Sequence, residues 1–197
     1  MAKDQGIIAG QGWVFYAEPD TDAPTTLDTF NPVEKNIAGF TWLGSTSKEN
    51  LTSFKKEGGE ITVLDTWDTP AIRSIKADEK WSVTINSVSI SQDTFKLAFP
   101  SGKWNAEKGG YDITAKAATT AKALLLVVQD PQNGFLGVYF PRGTLSLGEV
   151  PSFNAEGFME VPLLLNALTS EKSGIMMRWL LPKNLRSGVT GAESTGR

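Results

Sequence analysis

Short runs of β-prone residues, separated by Gly, Pro, Asn and Asp, constrain this chain more than any other feature of its sequence. About ten such runs, with turn signals every 8–12 residues or so, are typical of a β-sandwich or β-barrel. The predicted strands are 12–17, 40–46, 51–56, 60–64, 71–76, 80–91, 123–129, 135–140, 143–149, 157–165 and 174–181.

The clearest strand is 80–91, where Trp81, Val83 and Ile85 alternate with polar residues. The apolar phase then slips by one position to Val88, and a one-residue slip would turn every later side chain to the other face. A β-bulge near Asn86 would restore the buried face, so we predict one there. Because Trp81 is in phase with this apolar face, and Trp179 with the apolar positions of its own run, both are predicted to lie in the core.

Two turns predict hairpins. Gly58 and Gly59 stand between two β-prone runs, which favours a hairpin with its turn at these glycines. The sequence Asp-Pro-Gln-Asn-Gly at 130–134 predicts a second hairpin between the strands on either side.

One short helix is predicted at Ser91–Ala98. Ser91 is a favoured N-cap residue, Asp93 suits the first turn, and Pro100 stops the helix. The predicted fold is therefore mainly β, a β-sandwich or barrel-like domain with one short flanking α-helix and extended arms.

The expected organisation is an N-terminal arm (1–11), a β-sandwich domain (12–182) and a C-terminal arm (183–197). Within the domain we expect long loops at 18–36, which carries three prolines, and at 45–58. The most apolar run, 123–128, is far shorter than the roughly 20 residues of a membrane helix. We therefore expect a soluble protein with no membrane partner.

The chain contains no Cys and no His, and its net charge is −3. Disulfides, thiolate zinc sites and a Ser-His-Asp triad are excluded by these two absences. Nearby carboxylates such as Asp65 and Asp68, or Asp20 and Asp22, suit Ca²⁺ or a glycosidase pair, but no EF-hand pattern follows them. We interpret them as solvated turn residues and predict no enzyme, no metal and no cofactor.

Two segments carry a family resemblance. Residues 40–75 read FTWLGSTSKENLTSFKKEGGEITVLDTWDTPAIRSI, and residues 81–99 read WSVTINSVSISQDTFKLAF, a strand that runs into a helix. In the order and texture of these elements, over about residues 12–181, the chain resembles the major tail tube proteins of long-tailed siphophages, especially those that infect actinobacteria.

This resemblance implies a structural virion protein in the phage tail, assembled in the host cytoplasm. Its copies would form homohexameric rings that stack along a tape-measure protein, with tail terminator and tail-tip proteins as further partners. Inner sheets would join into a barrel around a lumen, through which DNA passes without specific binding.

Two sets of residues are candidates for these roles. Alternation of polar residues predicts a lumen-lining set, namely Glu60, Thr62, Ser82, Thr84 and Asn86. Arms and long loops, which can tie copies together, and tryptophans, which are enriched at interfaces, give the inter-subunit candidates Gly6, Ile7, Trp13, Trp42, Ser47, Leu51, Phe54 and Trp67.

Three other functions remain open at this point. A tail terminator or head-decoration protein would form closed rings or bind a capsid instead of polymerising. Six tryptophans also suit a carbohydrate-binding β-sandwich module, because flat rings stack on sugars. A hydrolase that uses two carboxylates is the remaining enzymatic alternative.

Overall fold

The computed structural model describes residues 7–68, 71–151 and 155–186. Gly6, most of the N-terminal arm and the C-terminal arm after Arg186 lie outside these ranges. The predicted mainly β fold with one short helix is confirmed. The strands are β1 (Gln11–Ala17), β2 (Thr41–Trp42), β3 (Ser53–Gly58), β4 (Ile61–Leu64), β5 (Arg73–Lys76), β6 (Glu79–Ser87), β7 (Lys103–Asn105), β8 (Gly110–Asp112), β9 (Thr120–Asp130), β10 (Gly134–Leu147), β11 (Val161–Leu168) and β12 (Arg178–Leu180).

The described chain divides into two compact units. Unit 1 comprises 7–45, 121–143 and 168–186, and its strands pair in the order β2-β1-β9-β10, with β12 also paired to β10. Unit 2 comprises 46–68, 71–120, 144–151 and 155–167. Its strands pair in the order β10-β11-β6-β3, beside two-stranded ladders β4-β5 and β7-β8.

Unit 1 is built around an aromatic core. Trp13 and Phe15 on β1 both lie against Phe30, with ring centroids 5.3 and 5.8 Å apart in edge-to-face geometry. Phe30 and Leu27 belong to the predicted loop 18–36, so that loop is packed into the core. The apolar run of β9 is buried on both faces, which explains why it lacks polar alternation.

Unit 2 has an aliphatic core. Val83 and Ile85 on β6 are fully buried, as are Leu163 and Leu165, their neighbours on β11. The predicted helix is confirmed as α1 (Gln92–Ala98). Its N-cap is Ser91, whose hydroxyl oxygen accepts a hydrogen bond from the Thr94 amide at 3.1 Å.

Three predictions about local structure were wrong. No bulge interrupts β6, because its register with β11 is unbroken from Ser82↔Asn166 to Ser87↔Val161. The strand ends at Ser87, so the slipped apolar phase belongs to the loop before α1. Trp179 is half exposed on β12, and the predicted hairpin turn at Gly58 and Gly59 is absent, since β3 pairs with β6 and β4 with β5.

Candidate assembly surface

A long exposed hairpin projects from the β6 edge of unit 2. The β3-β6 ladder pairs Ser53 with Thr84 and Gly58 with Glu79, and the β4-β5 ladder pairs Ile61 with Lys76. Both ladders keep the same register, and between them the Ala77 amide donates to the Glu60 carbonyl oxygen at 2.9 Å. The described residues of 53–84 therefore form one antiparallel hairpin, here called the long hairpin. Its outer part, the described residues of 60–77, is called the distal hairpin.

The distal hairpin is apolar on both faces yet exposed throughout. Directly opposed residues of an antiparallel pair share a face. One face therefore carries Ile61 and Val63, and the other carries Leu64 and Ile75. In the loop at its end, Trp67 is completely exposed.

An isolated two-stranded hairpin with these properties is marginally stable in water. Monomeric proteins seldom expose contiguous apolar patches larger than a few hundred Å², and larger patches mark interaction sites. The distal hairpin is accordingly the strongest candidate for a contact surface among the described residues.

A bend lies where the two ladders of the long hairpin meet. Gly58 and Gly59 both have φ of +76°, in the left-handed region that favours glycine. A Cβ atom on Gly58 would lie 2.2 Å from the Asp78 carbonyl oxygen, and one on Gly59 would lie 2.9 Å from Cγ of Glu79. The positive φ favours glycine at both positions, and at Gly58 the backbone of the opposite strand also excludes a Cβ atom.

One carboxylate links the ladders across this bend. Oε1 of Glu79 lies 2.6 Å from Nζ of Lys76, on β5, and 3.5 Å from Nζ of Lys56, on β3. The hydrogen bond from Lys76, together with the charges of both lysines, holds the pKa of Glu79 below its usual value. Glu79 is therefore ionised at neutral pH and bridges the inner and outer ladders.

The second candidate surface is the polar face of unit 2. On β6 it carries Ser82, Thr84 and Asn86, which alternate with the buried Val83 and Ile85. The register adds side chains from the neighbouring strands to the same face: Ser53, Lys55, Pro162, Leu164 and Asn166. Hydroxyl and amide groups thus dominate this face.

Charges on the polar face are partly paired. Nζ of Lys55 lies 2.7 Å from Oε1 of Glu57. This hydrogen bond raises the pKa of Lys55 and lowers that of Glu57, so both groups stay charged at neutral pH. The pair itself carries no net charge, while Lys80, opposite Glu57 on β6, adds one positive charge at this border.

A polar groove of about 280 Å³ marks one end of this face. Nδ2 of Asn50 donates to Oε2 of Glu160 at 3.0 Å, and Nδ2 of Asn86 donates to the Asn50 carbonyl oxygen at 3.2 Å. The groove is lined by Asn50, Thr84, Asn86, Glu149, Val150, Glu160 and Pro162. The side-chain amides of the groove donate hydrogen bonds to a carboxylate and to a backbone carbonyl oxygen. This arrangement is typical of a structural role.

The five predicted lumen residues fall into two groups. Ser82, Thr84 and Asn86 lie together on the polar face, partly exposed. Glu60 and Thr62 are exposed residues of the distal hairpin, outside the ladder that carries the polar face. Alternation alone had placed all five in one set, because it does not show where a long hairpin bends.

The predicted inter-subunit residues also divide. Leu51, Phe54 and Trp67 are exposed, and two of them belong to the long hairpin. Trp13 and Ser47 are buried, so their side chains are not available for surface contacts. The remaining two described candidates are partly buried: Ile7, and Trp42, whose ring lies 3.9 Å from Nζ of Lys35.

Sequence reasoning missed the apolar residues of the distal hairpin as contact residues: Ile61, Val63, Leu64, Ile72 and Ile75. A signal was available, because residues 61–64 and 72–75 have apolar residues on both faces of strands too short to cross a core.

Among the described residues, no group of three or more Asp or Glu is arranged to hold a metal ion. The same part of the chain contains no helix with the length and hydropathy needed to cross a membrane.

Comparison with known proteins gives a family match for this chain. The family model described as phage tail tube protein matches residues 1–190. The chain is similar to the Major tail protein Gp23 of Mycobacterium phage L5, 29% identical over 134 residues, which cover 64% of this chain and 67% of the relative. The corresponding protein of Mycobacterium phage D29 is 28% identical over the same length and coverage. The family resemblance seen in segments 40–75 and 81–99 is thereby confirmed.

Proposed function

The chain belongs to the phage tail tube protein family, and from this premise we propose that its copies form hexameric rings that stack into a hollow tube for DNA. Membership of the family makes the chain a structural tail protein that self-assembles. The role implied is structural and not enzymatic. Assembly in the host cytoplasm, around a tape-measure protein and between tail-tip and terminator proteins, belongs to the same proposal.

The exposed distal hairpin is the observation that supports the proposal most. The side chains of Ile61 and Trp67 are exposed to water. This exposed apolar surface does not stabilise a monomer. Burying such surface stabilises an assembly by roughly 25 cal/mol per Å². Contact with a second copy of the chain would cover it, and a contact between different surfaces of two copies propagates into a filament when its rotation does not close.

Sheet edges support ring formation in the same way. β3 is the last strand in the β10-β11-β6-β3 order, so its outer edge has no neighbouring strand within the described chain. An unpaired edge templates pairing with another chain. In the proposed ring, β3 of one copy pairs with a strand of the next and extends the sheet around the lumen.

We assign the polar face of unit 2 to the lumen. A wall rich in hydroxyl and amide groups, with Lys55 neutralised by Glu57, would not hold phosphates firmly, because DNA affinity depends on unpaired cations. Glu60 and Thr62 are assigned instead to the contacts that the distal hairpin makes with another copy.

The lumen assignment has its own test. Ser82→Lys adds a cation to the polar face beside Lys55. Tubes of this variant should retain double-stranded DNA at low salt and release it as salt rises. Ala106→Lys, on the exposed β7-β8 turn, adds the same charge outside this face and serves as the control for overall charge. Equal DNA retention by wild-type and Ser82→Lys tubes would contradict the assignment.

Electron microscopy of concentrated, purified protein, beside its size-exclusion profile, tests the proposed function. Hollow tubes or stacked six-fold rings are the expected result. Closed rings that never stack would favour a tail terminator, and a monomer that binds glycans would favour a carbohydrate-binding module. If the monomer persists alone, addition of tail-tip proteins as an initiator should produce tubes.

A further inference from the structure

The bend in the long hairpin combines an unusual glycine conformation, a close steric fit and a bridging carboxylate. Two consecutive residues, Gly58 and Gly59, adopt φ of +76° inside an antiparallel hairpin whose register does not change. A register without insertion means that the bend is not a β-bulge. The backbone leaves the extended conformation at these two glycines, opposite Asp78 and Glu79 of the other strand.

Steric fit fixes the direction of the bend. The Asp78 carbonyl oxygen and the Glu79 side chain occupy the space where Cβ atoms of the two glycines would stand. The Gly59 amide donates to that same carbonyl oxygen at 3.3 Å. A side chain at Gly58 would therefore clash with backbone of the opposite strand, and one at Gly59 would displace the Glu79 side chain.

Charge then ties the two ladders. Glu79 is the first residue of β6, Lys56 lies in the inner ladder and Lys76 in the outer one. The carboxylate reaches both lysines, at 3.5 and 2.6 Å, and is itself only about one quarter exposed (27%). Among the described residues, no other ion pair connects the inner and outer ladders.

We propose that Gly58, Gly59 and Glu79 form a preset bend that fixes the direction in which the distal hairpin leaves the sheet, and that this direction allows the hairpin to dock on a second copy. The docking part rests on the proposed function. A flexible hairpin would lose conformational entropy each time it docks. A hairpin with a preset bend is already ordered before assembly, so docking costs less entropy.

The bend is tested first in the monomer. Because the chain has no Cys, spin labels on Ser53→Cys and Ser74→Cys are site-specific, and both positions are exposed strand residues on opposite sides of the bend. Double electron-electron resonance should give one narrow distance. Gly58→Ala should shift or broaden it, and Glu79→Gln should broaden it. A broad distance in the parent protein, or an unchanged one in both variants, would overturn the proposal.

Assembly is the second readout. Gly58→Ala and Gly59→Ala should raise the protein concentration needed for tube formation by about tenfold or more, which corresponds to about 1.4 kcal/mol. Gly109→Ala is the matched control, since Gly109 also has positive φ, +59°, but no atom lies within 4 Å of its Cβ position. It carries the left-handed strain without the clash and should assemble as the parent does.

A charge exchange isolates Glu79 from the glycines. Glu79→Lys should weaken assembly, and the double variant Glu79→Lys/Lys76→Glu should recover part of the loss because it restores an opposite pair. Parent-like assembly by Gly58→Ala, Gly59→Ala and Glu79→Lys would refute the inference while leaving the tube function intact. Absence of tubes from the parent protein even after addition of tail-tip proteins would instead refute the proposed function, and the monomer distances would still decide the bend.

Discussion

The aromatic core of unit 1 and the distal hairpin of unit 2 use the same kinds of residue to opposite ends. In unit 1, Phe15 and Leu125 are fully buried within the chain. In the distal hairpin, Ile61 and Val63 are at least half exposed. The comparison shows that a β-prone apolar segment identifies residues that are stabilised by burial. Whether the same chain or another copy covers them depends on where the fold places the segment.

The largest expected effect is on the unit 1 core. Phe15→Ala removes a fully buried ring that packs edge-to-face on Phe30. We expect the free energy of unfolding to fall by about 3–5 kcal/mol. Urea denaturation followed by Trp fluorescence measures this change. A loss below 1 kcal/mol would mean that the core is not what holds unit 1 together.

The next effect separates assembly from stability. Ile61→Ser combined with Val63→Ser makes one face of the distal hairpin polar. We expect the free energy of unfolding to change by about 0.5 kcal/mol or less, as for exposed positions, while tube formation requires at least about tenfold more protein. Thr62→Ser, on the same strand, is the matched control. Normal assembly by the double variant would break the comparison.

A third effect concerns the start of the described chain. Asp130 accepts hydrogen bonds from the amides of Gln132 and Ile8 and from Asn133, which lower its pKa to about 2. Because the folded pKa lies below the ordinary value of 3.8, the carboxylate stabilises the fold above about pH 4. That contribution disappears as pH falls towards 2.

Asp130→Asn tests this clamp. We expect a lower Tm at pH 7 and earlier hydrogen exchange at residues 8–10, with the difference from the parent shrinking below pH 4. Asp112→Asn, an exposed carboxylate in β8, is the control. Equal Tm values at pH 7 would show that Asp130 does not hold the N-terminal segment.

The smallest effect is expected for Glu57→Gln. The Lys55–Glu57 pair is exposed on both sides, with side chains 72% and 60% accessible. Exposed ion pairs add little to stability. Thermal unfolding should give the parent Tm, because no part of the core depends on this pair. A clear fall in Tm would mean that β3 is held more firmly than its exposure indicates.

Much of the fold followed from the sequence because its signals are local. Ser91 and Pro100 bracket the helix, and the apolar run 123–128 predicts a strand covered on both faces. The bend did not follow, since Gly58-Gly59 fits a hairpin turn equally well. Only the pairing of β3 with β6, a long-range contact, distinguishes these two structures.

The candidate site was predicted in part for the same reason. Polar alternation correctly grouped Ser82, Thr84 and Asn86 on one face of β6. It also grouped Glu60 with them, although Glu60 lies beyond the bend. Aromatic residues near strand ends gave both the exposed Trp67 and the buried Trp13, because sequence does not distinguish a ring that packs inside the chain from one that awaits a partner.

Hydrogen exchange, compared between the monomer and assembled tubes, tests the central claim most directly. Amides of residues 61–76 should exchange quickly in the monomer and become at least about tenfold more protected in tubes, while peptides from β1 and β9 stay protected in both states. Distal hairpin amides that exchange equally fast in monomer and tube would contradict the account, since another copy would then not cover the hairpin.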